Sequence, residues 1–167
     1  MKTLFDYMDK PAVKHRSSKK PSSKRKGGGG RRRGPYDIYN ELVARLPPEL
    51  RATAPKLEVG KKYKVTAGIY APKSNAVRIS EAVTRYGDED IISHVMAHEL
   101  AHYVLTKKKG KQAYWINRLH LPEFYRELAL IAGYRDEVEA EKEEWRKISM
   151  LEERILRGTG RIGSIEI

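Results

Sequence analysis

The stretch HELAHYVL (residues 98–105) contains the pattern H-E-x-x-H, whose residue types and spacing suit metal-assisted hydrolysis. On an α-helix, His98 and His102 are four residues apart and project from the same face, so both imidazoles can reach one ion. Glu99 lies between them in sequence and can take a proton from a water that the metal activates. The pattern predicts a catalytic metal centre, and histidine ligands with a glutamate base favour Zn²⁺, one ion per chain. The alternative is a pair of solvated histidines on a helix.

A catalytic zinc ion usually needs a third protein ligand, and the chain offers candidates in two places. His120 follows His102 by 18 residues and stands just before a predicted helix. Glu137 and Glu141 lie on the last predicted helix and would instead complete a gluzincin-type site. Both alternatives stay open on spacing alone.

Other side chains near this pattern are predicted to support the site or the core. His94 is one turn before His98, and a helix drifts by about 80° over eight residues, so His94 and both motif histidines cannot bind one ion well. We therefore predict that His94 is a core residue or supports a ligand. Three tyrosines are candidates for stabilising an oxyanion, and each could equally be a packing residue: Tyr103, Tyr114 and Tyr134.

Helices and short strands must position these groups. Apolar residues at helical spacing predict helices in YDIYNELVARL (36–46), in a long segment that Asp88 opens, and in PEFYRELALIA (122–132). Short β-branched segments between residues 56 and 80 predict two or three strands. In the last helix, Val138, Trp145, Ile148, Leu151 and Ile155 stand at helical spacing, which predicts an apolar stripe opposite a charged face. The predicted fold class is α+β, with a small antiparallel or mixed sheet packed on a central HExxH helix and further C-terminal helices.

The chain divides by composition into four predicted parts. These are a short hydrophobic peptide (1–9), a disordered basic tail (10–34), a folded domain (35–157) and a C-terminal tail (158–167). The tail 10–34 is rich in Lys, Arg, Ser, Gly and Pro, so it cannot bury enough apolar surface to offset the entropy of ordering. Within the domain, the core spans about residues 57–133 and the C-terminal helix about residues 135–157.

The positive charge is concentrated at the N-terminus. Of 34 Lys and Arg residues, 12 lie in residues 1–34 beside two acidic residues, whereas the remaining 133 residues are nearly neutral. Such a segment predicts sequence-independent, salt-sensitive binding to DNA first and RNA second, because its cations release counterions from phosphates. The alternative is a solubilising tail. The residues predicted to contact nucleic acid are Lys19, Lys20, Lys24, Arg25, Lys26, Arg31, Arg32 and Arg33.

The first eight residues, MKTLFDYM, contain more large apolar residues than a solvated tail needs. Leu4, Tyr7 and Met8 stand at i, i+3 and i+4, the anchor pattern of a short helix that docks in a groove. The stretch resembles a sliding-clamp-binding peptide, with Met1 where glutamine is usual. A sliding clamp is therefore a predicted partner, and the alternative is a frayed or domain-packed start.

Three segments together resemble the SprT-like zinc metallopeptidases: TAGIYAPKSNAVRISEAV, VMAHELAHYVL and HLPEFYRELALIAG. These families show a strand and hairpin before the HExxH helix and a third histidine downstream in a setting that His120 and Phe124 match. The resemblance covers about residues 57–133 and implies His120 as third ligand and peptide hydrolysis as the activity. Some relatives in the repair of DNA–protein crosslinks carry clamp-binding peptides.

Two departures from that family pattern stand out. Leu121 occupies the position where many members have glycine. The chain has no cysteine, so it lacks the four-cysteine zinc ribbon that follows the core in many members, and disulfides and thiolate sites are excluded.

The sequence therefore predicts a zinc metallopeptidase that acts on DNA-associated proteins. It has two rivals: a small gluzincin-type protease whose tail is a regulatory or pro-segment, and a nucleic-acid-binding protein with an inactive structural metal site. No apolar run approaches the roughly 20 residues that span a bilayer, and the N-terminus lacks an apolar signal-peptide stretch. We expect a cytoplasmic, DNA-associated protein with no membrane partner.

Overall fold

A computed structural model describes residues 33–60 and 67–159. In chain order, the elements are α1 (Pro35–Ala44), α2 (Pro48–Arg51), β1 (Lys56–Gly60), β2 (Gly68–Ala71), β3 (Ala76–Ser80), α3 (Glu81–Tyr86), α4 (Glu89–Lys109), α5 (Ala113–Leu119), α6 (Pro122–Ala132) and α7 (Glu137–Thr159). This is the predicted α+β fold. Of the described helices, none combines the length and apolar character needed to cross a membrane.

The three described strands form one mixed sheet in the order β1-β3-β2. The central strand β3 pairs in parallel with β1 and antiparallel with β2. Ala76, Val77 and Ile79 of β3 are fully buried, as expected for a strand with neighbours on both sides. Strand β2 lies at one edge, so one of its sides carries no strand within the described sheet.

Helix α4 runs through the centre of the molecule. Its N-cap is Asp88, whose Oδ1 accepts a hydrogen bond from the backbone N–H of Ile91 at 3.0 Å. From Ile91 to Leu105, α4 is buried on nearly all sides, because the sheet, α1, α6 and α7 pack around it. Gly110, with φ of +55°, ends the helix. The HExxH motif therefore lies on the most enclosed helix described.

Helix α7 is rotated relative to the sequence prediction. Val138 and Trp145 are 55% and 60% exposed, although their spacing with Leu151 suggested a buried stripe. The buried line is Ala140, Glu144, Lys147 and Leu151. The prediction of an apolar stripe was wrong at its N-terminal end, because two charged residues take core positions there. Glu144 pairs with the buried side chains of His94 and His98, and Lys147 reaches out to Tyr134 and Asp90.

Candidate metal centre

The two histidines of the motif face each other on α4. The Nε2 atoms of His98 and His102 are 3.0 Å apart, and the ring centroids are separated by 4.7 Å. Two zinc–nitrogen bonds at a tetrahedral angle would place such nitrogens about 3.3 Å apart. The spacing therefore suits a shared ion after a small adjustment.

His120 joins this pair from the turn between α5 and α6. It is the C-cap of α5 and has left-handed backbone angles, φ 44° and ψ 56°. Asn117 anchors α5 to α4, since its Nδ2 lies 3.4 Å from the carbonyl oxygen of His102 and 3.3 Å from Thr106 Oγ1. One ring nitrogen from each of His98, His102 and His120 lies within 4.8 Å of the other two.

Phe124 forms the apolar wall of this cluster. It lies in the first turn of α6, is fully buried, and stacks on His120 with ring centroids 4.4 Å apart. Its ring also lies 4.8 Å from that of His98 and 4.7 Å from that of His102. Pro122 at the first position of α6 begins the helix that places Phe124 there.

The donor set fits a metal cation. Burial lowers the pKa of His102 well below its usual value and that of His120 to about 4, so both rings offer lone pairs at neutral pH. His98 differs: burial lowers its pKa, but the close carboxylate of Glu144 and the charge of Glu99 outweigh that effect and raise it. No further His, Asp or Glu joins the cluster among residues 33–60 and 67–159. Three nitrogen ligands leave a position for water or substrate, as in catalytic zinc sites.

Glu99 points to the sheet side of α4. It is only 2% exposed, and the backbone N–H of Tyr70 on β2 donates a hydrogen bond to its carboxylate. Gly68 makes this approach sterically feasible, because a Cβ atom there would lie 2.9 Å from Glu99 Oε1 and 3.0 Å from its Cγ. Burial raises the pKa of Glu99 to about 7, against the opposing charge of His98. The carboxyl can therefore hold or release a proton near neutrality.

Glu144 is a site residue that the sequence prediction missed. It extends from α7 to the back of the cluster, where its Oε1 lies 2.9 Å from His98 Nδ1 and its Oε2 lies 2.6 Å from His94 Nε2. Burial alone would raise its pKa, but the two histidines hold it well below the usual range of a glutamate. Glu144 is thus a buried carboxylate paired with the ring nitrogen of His98 that faces away from the cluster.

A chain of polar groups continues behind Glu144. His94 Nδ1 lies 2.7 Å from the hydroxyl of Tyr134, to which Lys147 Nζ donates a hydrogen bond at 3.0 Å. Lys147 Nζ also donates to Oδ1 of Asp90 at 2.7 Å, at the surface. His94 is thus buried, as expected for either of the two predicted roles, and it does not belong to the three-histidine cluster.

The two glutamates considered as alternative ligands are placed elsewhere. Glu141 is exposed, and Glu137 lies near the guanidinium of Arg126, with 3.8 Å between Oε1 and Nη2. Neither belongs to the three-histidine cluster.

The tyrosines considered as oxyanion stabilisers have other partners. Tyr103 is fully buried and bonds to Thr53 and to the Leu50 carbonyl, and Tyr134 belongs to the chain behind Glu144. The side chain of Tyr114 lies outside the described part of the chain.

Most of the N-terminal predictions fall outside the described residues, including Leu4, Tyr7, Met8 and the basic residues from Lys19 to Arg32. Arg33 is described, and its guanidinium bonds to Glu41 at 2.6 Å and to Glu89 at 3.0 Å. These partners raise the pKa of Arg33, with Glu89 contributing most. Its role in binding nucleic acid stays a prediction.

The family model described as SprT-like matches residues 36–144, well over half of the chain. The chain therefore belongs to the SprT-like family, as its motifs suggested, and carries a metallopeptidase-like domain whose three histidines can hold a metal ion. Comparisons with curated proteins and with solved structures found no match.

Proposed function

We propose that this protein is a zinc-dependent metalloendopeptidase that hydrolyses peptide bonds in DNA-associated proteins. The observation that carries the peptidase proposal is the three-histidine cluster on and beside α4, next to the buried carboxylate of Glu99. Membership of the SprT-like family supports it.

His98, His102 and His120 would hold the ion, one ring nitrogen each. When bound, zinc supplies Lewis-acid activation of water and of the scissile carbonyl. The carboxylate of Glu99 takes the proton from the attacking water and later gives it to the leaving amine nitrogen. Its burial between α4 and β2 keeps bulk water from competing for that proton.

The edge of β2 that has no neighbouring strand among the described residues offers a way to orient an extended substrate. This edge borders Glu99, because the N–H of Tyr70 that donates to the glutamate belongs to it. A peptide that added to β2 as a further strand would carry its backbone past the histidine cluster. Main-chain hydrogen bonds would then position the scissile bond with little dependence on side-chain identity.

The charge distribution supports DNA as the setting of the reaction. Residues 1–34 carry most of the net charge of +12, while the metal centre lies in the nearly neutral remainder. A basic segment attached to a protease would concentrate it near phosphate backbones without base-specific contacts. RNA is the second choice of partner for the same segment. Residues 1–8 would dock on a sliding clamp. In this proposal the protein acts in the cytoplasm.

Zinc content tests which residues hold the ion. Wild type, His120→Ala and the double variant Glu137→Ala/Glu141→Ala would be purified identically and their zinc per chain measured. We expect one zinc per chain in the wild type and the double variant, and a large loss in His120→Ala. Loss in the double variant alone would overturn the His120 assignment and favour the gluzincin-type rival. Zinc retained in all three without any peptidase activity would favour the inactive structural site.

Two truncations test the tail. We expect removal of residues 10–34 to flatten the salt dependence of DNA binding, and unchanged binding would remove DNA recruitment from the proposal. Removal of residues 1–34 should lower DNA-stimulated cleavage, whereas a rise in basal activity would indicate a regulatory pro-segment. Retention of the intact chain on a sliding clamp tests the peptide 1–8, and absence of retention would exclude that partner.

A further inference from the structure

In the polar chain behind the metal centre, Lys147 determines which group donates each hydrogen bond and which group accepts it. The ammonium of Lys147 can only donate, and it donates to Tyr134 and to Asp90. With a lone pair of its oxygen taken by Lys147, the hydroxyl of Tyr134 can direct its own proton to His94 Nδ1, 2.7 Å away. His94 Nδ1 then accepts, so a neutral His94 ring carries its proton on Nε2.

That proton lies opposite a carboxylate oxygen. His94 Nε2 donates to Glu144 Oε2 at 2.6 Å. The other oxygen, Oε1, lies 2.9 Å from His98 Nδ1, although the contact lacks the geometry of a regular hydrogen bond. A carboxylate oxygen at this distance would repel a lone pair on Nδ1 and has no proton to give, so the arrangement favours a hydrogen on Nδ1 of His98. Its Nε2, which faces His102 Nε2 at 3.0 Å, is then the nitrogen available for an ion.

We infer that Glu144, oriented by His94, Tyr134 and Lys147, is a positioning residue that holds the proton of His98 on Nδ1 and aims Nε2 at the metal. This inference rests on the proposed metal centre and adds that α7 belongs to it. Glu144 is the last residue of the family match, and Lys147 lies beyond it.

The energetics favour such a role over simple packing. Burying a carboxylate and an ammonium carries a large desolvation cost before their partners compensate, so apolar residues would serve a purely structural helix better. Glu144 and Lys147 are nevertheless 3% and 4% exposed, on the same line of α7 as Ala140 and Leu151. Carboxylates paired with the second nitrogen of a ligating histidine typically strengthen metal binding by about 10–100-fold.

The first experiment measures the zinc dissociation constant of the full-length chain by competition with a chromogenic chelator. We expect Glu144→Gln to weaken zinc binding by about 10–100-fold and Lys147→Met to weaken it less, because Glu144 remains. The matched control is Glu153→Gln on the same helix, whose exposed carboxylate pairs with Arg157 and does not touch the histidines or Lys147. Its zinc affinity should equal that of the wild type. Equal zinc affinity of folded Glu144→Gln and wild type would overturn the inference.

The second measurement needs no variant, so it decides even if Glu144→Gln fails to fold. Two-bond ¹H–¹⁵N correlation spectra of the imidazoles report which ring nitrogens carry hydrogen. In wild-type protein, with or without zinc, we expect His98 to be protonated on Nδ1, and an unprotonated Nδ1 would overturn the inference. A correct proton position in a chain that fails to bind zinc would instead refute the proposed function, so the two failures are distinguishable.

Discussion

The two sides of α4 hold their functional groups by different means. On the sheet side, Glu99 is confined by shape, with a glycine against its carboxylate and one backbone N–H bonded to it. On the helical side, His98 is held by a series of side-chain contacts that runs through Glu144, His94 and Tyr134. Changes on the sheet side should therefore alter proton transfer and spare zinc binding. Changes on the helical side should alter zinc binding and spare turnover of the loaded enzyme.

The sharpest test of the sheet side is Glu99→Gln. The amide keeps the shape of the side chain but cannot take a proton, so we expect peptidase activity to fall by about 10³-fold. Zinc content should stay at one per chain, measured by metal analysis. Cleavage of a protein substrate at the wild-type rate would show that Glu99 is not the base.

Gly68→Ala tests the confinement itself. Its Cβ would lie 2.9 Å from Glu99 Oε1 and 3.1 Å from Ile79 Cδ1, so the carboxylate must move. Because small misplacements of a catalytic group are costly, we expect kcat to fall by about 10²-fold with unchanged zinc affinity. Gly60→Ala is the matched control, since a Cβ on that strand glycine meets nothing within 4 Å. Similar losses in both variants would point to a general effect on the sheet.

Tyr134→Phe tests the helical side at a distance from the metal. It removes the hydroxyl between His94 and Lys147 and leaves both buried groups short of one partner. We expect the free energy of unfolding to fall by about 1–3 kcal/mol. Zinc affinity should also fall, though less than in Glu144→Gln, with kcat of the loaded enzyme unchanged. Tyr36→Phe, at an exposed tyrosine, is the control for urea unfolding and for chelator competition. An unaltered zinc affinity in Tyr134→Phe would show that, of the polar side chains behind the metal centre, only Glu144 and His94 affect metal binding.

The smallest effect is expected at Asp88, which caps α4 and pairs with Arg154 of α7 at 2.8 Å. Burial opposes the shift, but the N–H of Ile91 and the charge of Arg154 lower the pKa of Asp88. Its contribution to stability is thus fully present above the unfolded pKa of about 3.9 and is lost as pH falls through the lower folded value. Asp88→Ala should cost about 1 kcal/mol at pH 7 and less in strong acid, measured by urea unfolding. Asp88→Asn keeps the cap, so a cost equal to that of Asp88→Ala would contradict the capping argument.

The sequence pattern predicted the sheet side of α4 better than the helical side. HExxH has a fixed spacing on one helix, and Asp88 and Gly110 mark the ends of that helix by ordinary capping chemistry. The strands between residues 56 and 80 followed from short β-branched segments, whereas only the resemblance to the SprT-like family singled out His120, because spacing alone left Glu137 and Glu141 open. Local patterns of this kind can be read without knowing how elements pack.

Glu144 could not be found in that way. It is one of several glutamates in EVEAEKEEW, and only the rotation of α7 about its axis decides which of them is buried. The apolar residues Val138 and Trp145 suggested the wrong rotation. The signal that would have found Glu144 is the line from Ala140 through Glu144 and Lys147 to Leu151, at spacings of four, three and four residues. To recognise this line in the sequence, one must allow charged residues at buried helix positions when each has a partner of opposite charge or a hydrogen-bonding partner.

The backbone at His120 restricts how this centre could evolve or be redesigned. A left-handed residue is costly for most side chains, by roughly 1–2 kcal/mol, and is tolerated mainly by glycine, asparagine, aspartate and histidine. A glutamate at this position would have the chemistry of a ligand but not the favoured backbone, while asparagine or glycine would have the reverse. Exchange of the third ligand for glutamate would therefore encounter a conformational barrier before any question of metal affinity arises. A designer who wanted a carboxylate in this place without rebuilding the turn between α5 and α6 would have to use aspartate, whose side chain is shorter.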